Sequence, residues 1–218
     1  MACVFIIVGV RFIVLSALKV ILFLIPLLCF SDQLKAQQVK LLVLGDSLSA
    51  AYGLKQEQGW VSLLQNAWQD QGIQVINGAI SGETTDGGLA RLPRLLEQHQ
   101  PTHLLIELGG NDGLRGYPID KLRDNIARMI ELARASDVQV LLQQMQIPTN
   151  YGKRYTQMFT QAYTELAEQY QVPLVPFLLE EVALDPQLMQ QDRIHPNLAA
   201  QGKIADFMRR QLEPVILP

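Results

Sequence analysis

The chain has 218 residues, 18% of them charged and 49% apolar, a composition that excludes a disordered polymer and leaves room for one large domain or two small ones. Its formal charge of -3 is not that of a general nucleic-acid binder, which carries a basic face. These averages hide two unlike parts. Met1–Ala36 holds 27 apolar residues and four charges (Arg11, Lys19, Asp32, Lys35), whereas the other 182 residues carry 15 Lys+Arg against 20 Asp+Glu. Both cysteines, Cys3 and Cys29, lie in the first part. From Gln37 onward, disulfides, thiol nucleophiles and cysteine metal sites are therefore excluded.

Within the first part, Val20–Phe30 is an apolar run of 11 residues interrupted only by Pro26, with Arg11 and Lys19 before it and the small Ala36 after it. Basic, then apolar, then small is the order of a secretory signal peptide, expected over residues 1–36. The alternative is an N-terminal membrane anchor. Phe12–Phe30 is 19 residues, long enough to span, but Lys19 inside the span costs roughly 2.5–3.5 kcal/mol. Cys29 follows Leu27-Leu28, without the small residue a lipoprotein cleavage site needs. Either reading exports the body, to the periplasm or outside the cell, and a cysteine-free body suits an oxidising compartment.

In chain order the body alternates strands with helices. Val39–Leu44 is a nearly continuous apolar run ending at Gly45, as a strand buried on both faces requires. Gly59–Gln71 places Trp60, Leu63, Leu64, Ala67 and Trp68 at helical spacing. Ile73–Ile76 reads as a short strand, Leu89–Gln98 as a helix, His103–Leu108 as a strand and Ile119–Ala135 as an amphipathic helix. Val138–Ile147 reads as a strand, Tyr155–Tyr170 as a helix, Val172–Phe177 as a strand and Leu198–Leu212 as a terminal helix. Five strands alternating with helices predict one α/β domain over residues 37–218: a doubly wound, flavodoxin-like parallel sheet in three α/β/α layers, with its site at the carboxyl ends of the strands.

Several loops carry polar groups at those ends. Gly45-Asp46-Ser47-Leu48-Ser49 follows the first strand, where Gly45 permits a tight turn and free backbone N–H groups lie beside Ser47. Alone, such a turn is most often a helix N-cap. Asn77–Thr84 follows the second strand and offers the backbone N–H of Gly82. Gly109-Gly110-Asn111-Asp112-Gly113 follows the third, where Asn111 offers a side-chain amide or simply makes an Asn-Asp turn. Asp192-Arg193-Ile194-His195-Pro196-Asn197 precedes the last helix. Pro196 biases His195 toward extended backbone, and Asp192 is close enough in sequence to reach the ring. Of the three histidines, His103 begins a buried strand and His99 lies at a helix end. His195 is left as the candidate base by elimination.

Taken together and in order, Leu44–Ala50, Ser81-Gly82 with Gly88–Pro93, Glu107–Gly116 and Asp192–Asn197 resemble the SGNH (GDSL) hydrolases, most of all their bacterial periplasmic acyl-CoA thioesterase, arylesterase and lysophospholipase type. Pro148–Gly152 resembles a loop of the same type. The resemblance runs from about Val39 to Leu212 and departs at Ala51, where many relatives have Gly; a trimmed pocket mouth is the expected effect. It implies a serine hydrolase that cleaves acyl esters and thioesters through an acyl-enzyme on Ser47. His195 would be the base and Asp192 its acid partner. The oxyanion hole would be the backbone N–H groups of Ser47 and Gly82 with the Asn111 amide. Asp46 is expected to hydrogen-bond within its turn and not to take part in catalysis.

Neither metal nor cofactor is implied: the chain has no His-Glu-x-x-His, no phosphate loop, no dinucleotide fingerprint and no Gly-x-Ser-x-Gly elbow. Leu48, Tyr52, Leu114, Ile147 and Tyr151 are candidates for an acyl groove, or else pack the interior. Arg115 would meet an anionic substrate group or neutralise Asp112. The expected partner is a small acyl ester, thioester or lysophospholipid. Membrane contact is expected only through the leader or a lipid substrate, and the working form is expected to be a monomer. Two alternatives are a carbohydrate O-deacetylase of the same fold, which would need a more open, polar cleft, and a membrane-anchored binding protein with a decayed site.

Overall fold

The computed structural model describes residues 38–217, so the signal peptide or anchor expected over Met1–Ala36 lies outside the described residues. From Val39 the chain forms one compact unit. Among the described residues no helix is long and apolar enough to cross a membrane.

Five parallel strands form the sheet: β1 (Lys40–Gly45), β2 (Gln74–Asn77), β3 (His103–Glu107), β4 (Gln139–Gln143) and β5 (Leu174–Val175), in the order β2-β1-β3-β4-β5. This is the doubly wound order expected from sequence, and its crevice opens where the chain reverses direction between β1 and β3. Leu41–Leu44 and Leu104–Ile106 are fully buried, because helices cover both faces of the central strands. Helix α1 (Trp60–Ala67) packs on the terminal α6 (Leu198–Ile216). Helix α2 (Thr85–His99) packs on α4 (Ile119–Arg134), which packs on α5 (Lys153–Tyr170).

The departures from the sequence expectation have local causes. Helix α1 ends at Ala67 and gives way to a 3-10 turn, Gln69–Gln71, closed by a left-handed Gly72. Helix α2 starts at Thr85 instead of Leu89, because the Thr84 hydroxyl accepts the Gly87 N–H and caps the first turn, which carries Gly87-Gly88 and so lacks apolar periodicity. Strand β4 stops at Gln143, because β5 is only two residues long and offers no further ladder. The residues beyond it leave the sheet, and Met145 and Ile147 turn into the interior. A short helix not foreseen, α3 (Gly110–Leu114), follows β3. Its N-cap, Gly109, has φ 110°, a value that only glycine adopts freely.

A Cβ at Gly109 would collide with the Tyr163 hydroxyl, which donates to Leu108 O at 2.8 Å inside the core. Gly109→Ala therefore combines left-handed strain of about 1–2 kcal/mol with overpacking of about 1–3 kcal/mol. The expected outcome is a loss of roughly 2–5 kcal/mol in urea unfolding, seen as a lower midpoint with an unchanged slope.

Candidate active site

Ser47 sits in the turn that leaves β1. The Ala50 N–H donates to Asp46 O (2.9 Å) and the Leu48 N–H to Asp46 Oδ1 (3.0 Å), so the Asp46 side chain closes the turn around Ser47. Gly45 is in ordinary strand conformation and has no positive φ. Its glycine is required for a different reason from the tight turn expected. A Cβ there would fall on the Glu107 carboxyl, which lies against the turn from the end of β3.

Asp192 and His195 come from the long connection between β5 and α6. Asp192 Oδ1 accepts the N–H groups of Ile194 (2.9 Å) and His195 (3.0 Å), a small loop that holds Arg193 at φ 59°. Its other oxygen lies 2.7 Å from His195 Nδ1, and His195 Nε2 lies 2.8 Å from Ser47 Oγ. Burial pushes Asp192 up, but the N–H of His195, its ring and the N–H of Ile194 outweigh it and hold the carboxyl below its ordinary value. A carboxylate there accepts the Nδ1 proton, which leaves Nε2 as the acceptor facing the serine hydroxyl. The Tyr52 ring lies over the imidazole, centroids 4.2 Å apart at 32°.

Gly82 (φ 81°) and Asn111, the first-turn residue of α3 after Gly110, border the same cleft. The backbone N–H groups of Ser47 and Gly82 have no acceptor among the described residues. The Asn111 amide has two: Asp46 Oδ2 at 3.1 Å and Glu83 O at 2.9 Å. Asp46 thus reaches beyond its own turn and orients Asn111. Burial lifts Asp46 to about 6, against the pull of the Leu48 N–H, the His195 charge and the Asn111 amide. Burial also drives Glu107 well above the carboxylate range, reinforced by Asp46 and opposed by Ser49 and the Asp46 N–H.

The cleft has a volume of about 460 Å³, the size of a small-ligand site. Leu48, Tyr52, Leu114 and Ile147 line it as the sequence suggests. Tyr151 does not. Its hydroxyl donates to Leu114 O at 2.9 Å, so it braces the wall from outside. Arg115 neither neutralises Asp112 nor stands free. It donates to Gly82 O (3.1 Å), while Asp112 is buried and accepts from the Thr85 N–H and hydroxyl. Ala51 is buried with φ 57° and packs on Gly59 instead of trimming the mouth. The far wall, with Phe177, Leu179 and Met189, was not foreseen. Its only sequence signal was the apolar run Val175–Leu179. His103 is buried beside Thr102 at the opposite end of β3, with Nδ1 2.8 Å from the Thr102 hydroxyl.

The profile of the GDSL-like Lipase/Acylhydrolase family matches residues 43–203. The chain belongs to that family. It is 48% identical over 176 residues to the thioesterase 1/protease 1/lysophospholipase L1 of Escherichia coli K12, covering 81% of this chain and 84% of that one. It is 49% identical over 194 residues to the arylesterase of Vibrio mimicus, covering 88% and 96%. The esterase EstA of Pseudoalteromonas sp., solved in a form inhibited by monoethylphosphonate, superposes with a TM-score of 0.78 at 46% identity over 80% of this chain and 97% of that chain.

Asp46 gives the site a stability signature. Its carboxyl holds a proton in the fold up to about pH 6, against a value of 3.8 when free. Between those values the folded state binds the more protons. The contribution is therefore fully present below about pH 4 and lost as pH rises through about 6. Subtracting the unfolding free energy of Asp46→Asn from that of the parent chain at each pH should give a difference that declines from pH 4 to pH 6.5. A flat difference would contradict the buried acid.

Proposed function

We propose that this protein is a secreted serine hydrolase that cleaves acyl esters and thioesters through an acyl-enzyme on Ser47. The observation that carries the reading is the unbroken chain from Asp192 through His195 to Ser47 Oγ, opening on an apolar cleft beside two N–H groups that have no acceptor among the described residues. The names of the relatives, thioesterase, lysophospholipase, arylesterase and esterase, support the same substrate class.

In the proposed reaction His195 Nε2 takes the Ser47 proton as Oγ bonds to the acyl carbon. The charge that develops on the carbonyl oxygen is received by the Ser47 and Gly82 N–H groups and the Asn111 amide. The bond to the leaving alcohol or thiol breaks as His195 returns its proton to that group. A water molecule then repeats the cycle on the ester carbonyl and frees Ser47. Asp192 holds the imidazole tautomer and stabilises its protonated form. Both Asn111 amide hydrogens already have acceptors, so the developing oxyanion exchanges with one of them and does not meet a free donor.

Leu48, Tyr52, Leu114 and Ile147, with the wall from Phe177 to Met189, would hold the acyl chain. A cleft with this lining does not favour a polar glycan, so the deacetylase reading is set aside. An aligned Ser-His-Asp set likewise disfavours a decayed binding site. Every group in the proposal comes from one chain, so a monomer suffices. Export rests on the order of residues in Met1–Ala36, and the mass of the mature N-terminus tests it.

A fluorophosphonate probe followed by peptide mapping should label Ser47 alone. Ser47→Ala should fold normally and lose hydrolysis by at least about 10³-fold; unchanged turnover would sink the assignment. Asn111→Ala should lower kcat by about 10²-fold with little change in KM, and an effect confined to KM would argue against an oxyanion role.

A further inference from the structure

Behind the nucleophile turn lies a carboxyl group that the proposed reaction does not use. Glu107 ends β3 directly beside Gly45, its partner in the parallel ladder, and is 0% exposed. Its Oε2 accepts the Ser49 hydroxyl at 2.6 Å and the Asp46 N–H at 3.2 Å. These two donors lie on either side of Ser47 in sequence. Oε1 has no partner, and no cation pairs with the group among the described residues. The backbone has made room for the carboxyl, since any side chain at Gly45 would occupy its place. A buried acid with one orphaned oxygen is unfavourable for stability alone, and an apolar residue of similar volume would serve a purely structural role better.

We propose that Glu107 is a positioning residue for the nucleophile: its carboxyl anchors the turn on both sides of Ser47 and so sets the direction of Oγ toward His195. The inference rests on the assignment of Ser47 as nucleophile. The group works as a neutral acid. An ionised carboxylate with an unpaired oxygen would be heavily penalised here, and Asp46 already places a carboxyl next to it. Two further bonds complete the clamp. Trp60 Nε1 donates to Leu48 O at 3.1 Å, and Asn77 Nδ2 donates to Ser49 O at 2.9 Å. The turn is thereby held to α1 and to the end of β2 as well as to β3. Since Asp46 also orients Asn111, a shift of this turn moves the nucleophile and one proposed oxyanion donor together.

The test compares Glu107→Gln, Glu107→Ala and Ser49→Ala with the parent chain, using hydrolysis of a p-nitrophenyl ester and the rate of fluorophosphonate labelling. Gln keeps an oxygen acceptor in place, so Glu107→Gln should retain kcat within about threefold. Glu107→Ala should lower kcat and the labelling rate by roughly 10–100-fold, the scale of a misplaced reacting group, with KM within about twofold because the cleft walls are untouched. Ser49→Ala should show the same split, and the double variant should be no worse than Glu107→Ala, since Ser49 acts through Glu107. Parent-like kcat in Glu107→Ala, or an equal loss in Glu107→Gln, overturns the proposal. If Glu107→Ala does not fold, Ser49→Ala decides it, and unchanged kcat there is equally fatal. A parent chain that neither hydrolyses the ester nor takes the label would instead refute the assignment of Ser47.

Discussion

The pairing of β1 with β3 is the constraint on which the site depends. Their parallel register ends with Gly45 opposite Glu107, so the turn bearing Ser47 and the loop bearing Asn111 leave the sheet side by side. That adjacency lets Asp46 reach Asn111, and lets a carboxyl from one strand sit under the turn of the other. In a doubly wound sheet it occurs where the chain reverses its direction of winding, and two neighbouring loops splay apart to leave a crevice. The third part, Asp192 and His195, is brought to the same crevice by the connection that runs from β5 to α6.

The site mixes two electrostatic regimes. Asp192 sits at the rim, where backbone N–H groups and the imidazole keep it ionised despite partial burial. Asp46 and Glu107 sit beneath Ser47, where burial raises the proton affinity of both carboxyl groups. Three carboxyl groups within one small region therefore differ in proton affinity because their solvation and donors differ. The outer carboxylate pairs with the imidazole, while the inner pair holds the turn that bears Ser47.

Glycine serves several purposes across the site. At Gly109 and Gly82 the backbone itself requires a positive φ. At Gly45 the backbone is that of an ordinary strand, and the missing Cβ is what matters. In sequence, a glycine followed by Asp-Ser has the local meaning of a tight turn. The neighbour that excludes a side chain is 62 residues away and invisible to local reasoning.

Much of the fold was legible because burial writes itself into local periodicity. The runs Val39–Leu44 and His103–Leu108 read as strands covered on both faces, and the spacing in Ile119–Ala135 as a helix with one apolar side. The scarcity of histidine singled out His195, and the order of the polar loops brought out Ser47, Gly82, Asn111 and Asp192. Boundaries failed where capping or pairing overrides hydrophobicity, as at Thr84 and after Gln143. What the tertiary structure alone decided were contacts between distant segments: Asp46 with Asn111, Glu107 behind Gly45, Tyr151 outside the cleft and Phe177 to Met189 along its far wall. Periodicity tells which face of an element is buried, but strand order and loop path determine what that face meets, and the chemistry of this site lies in those meetings.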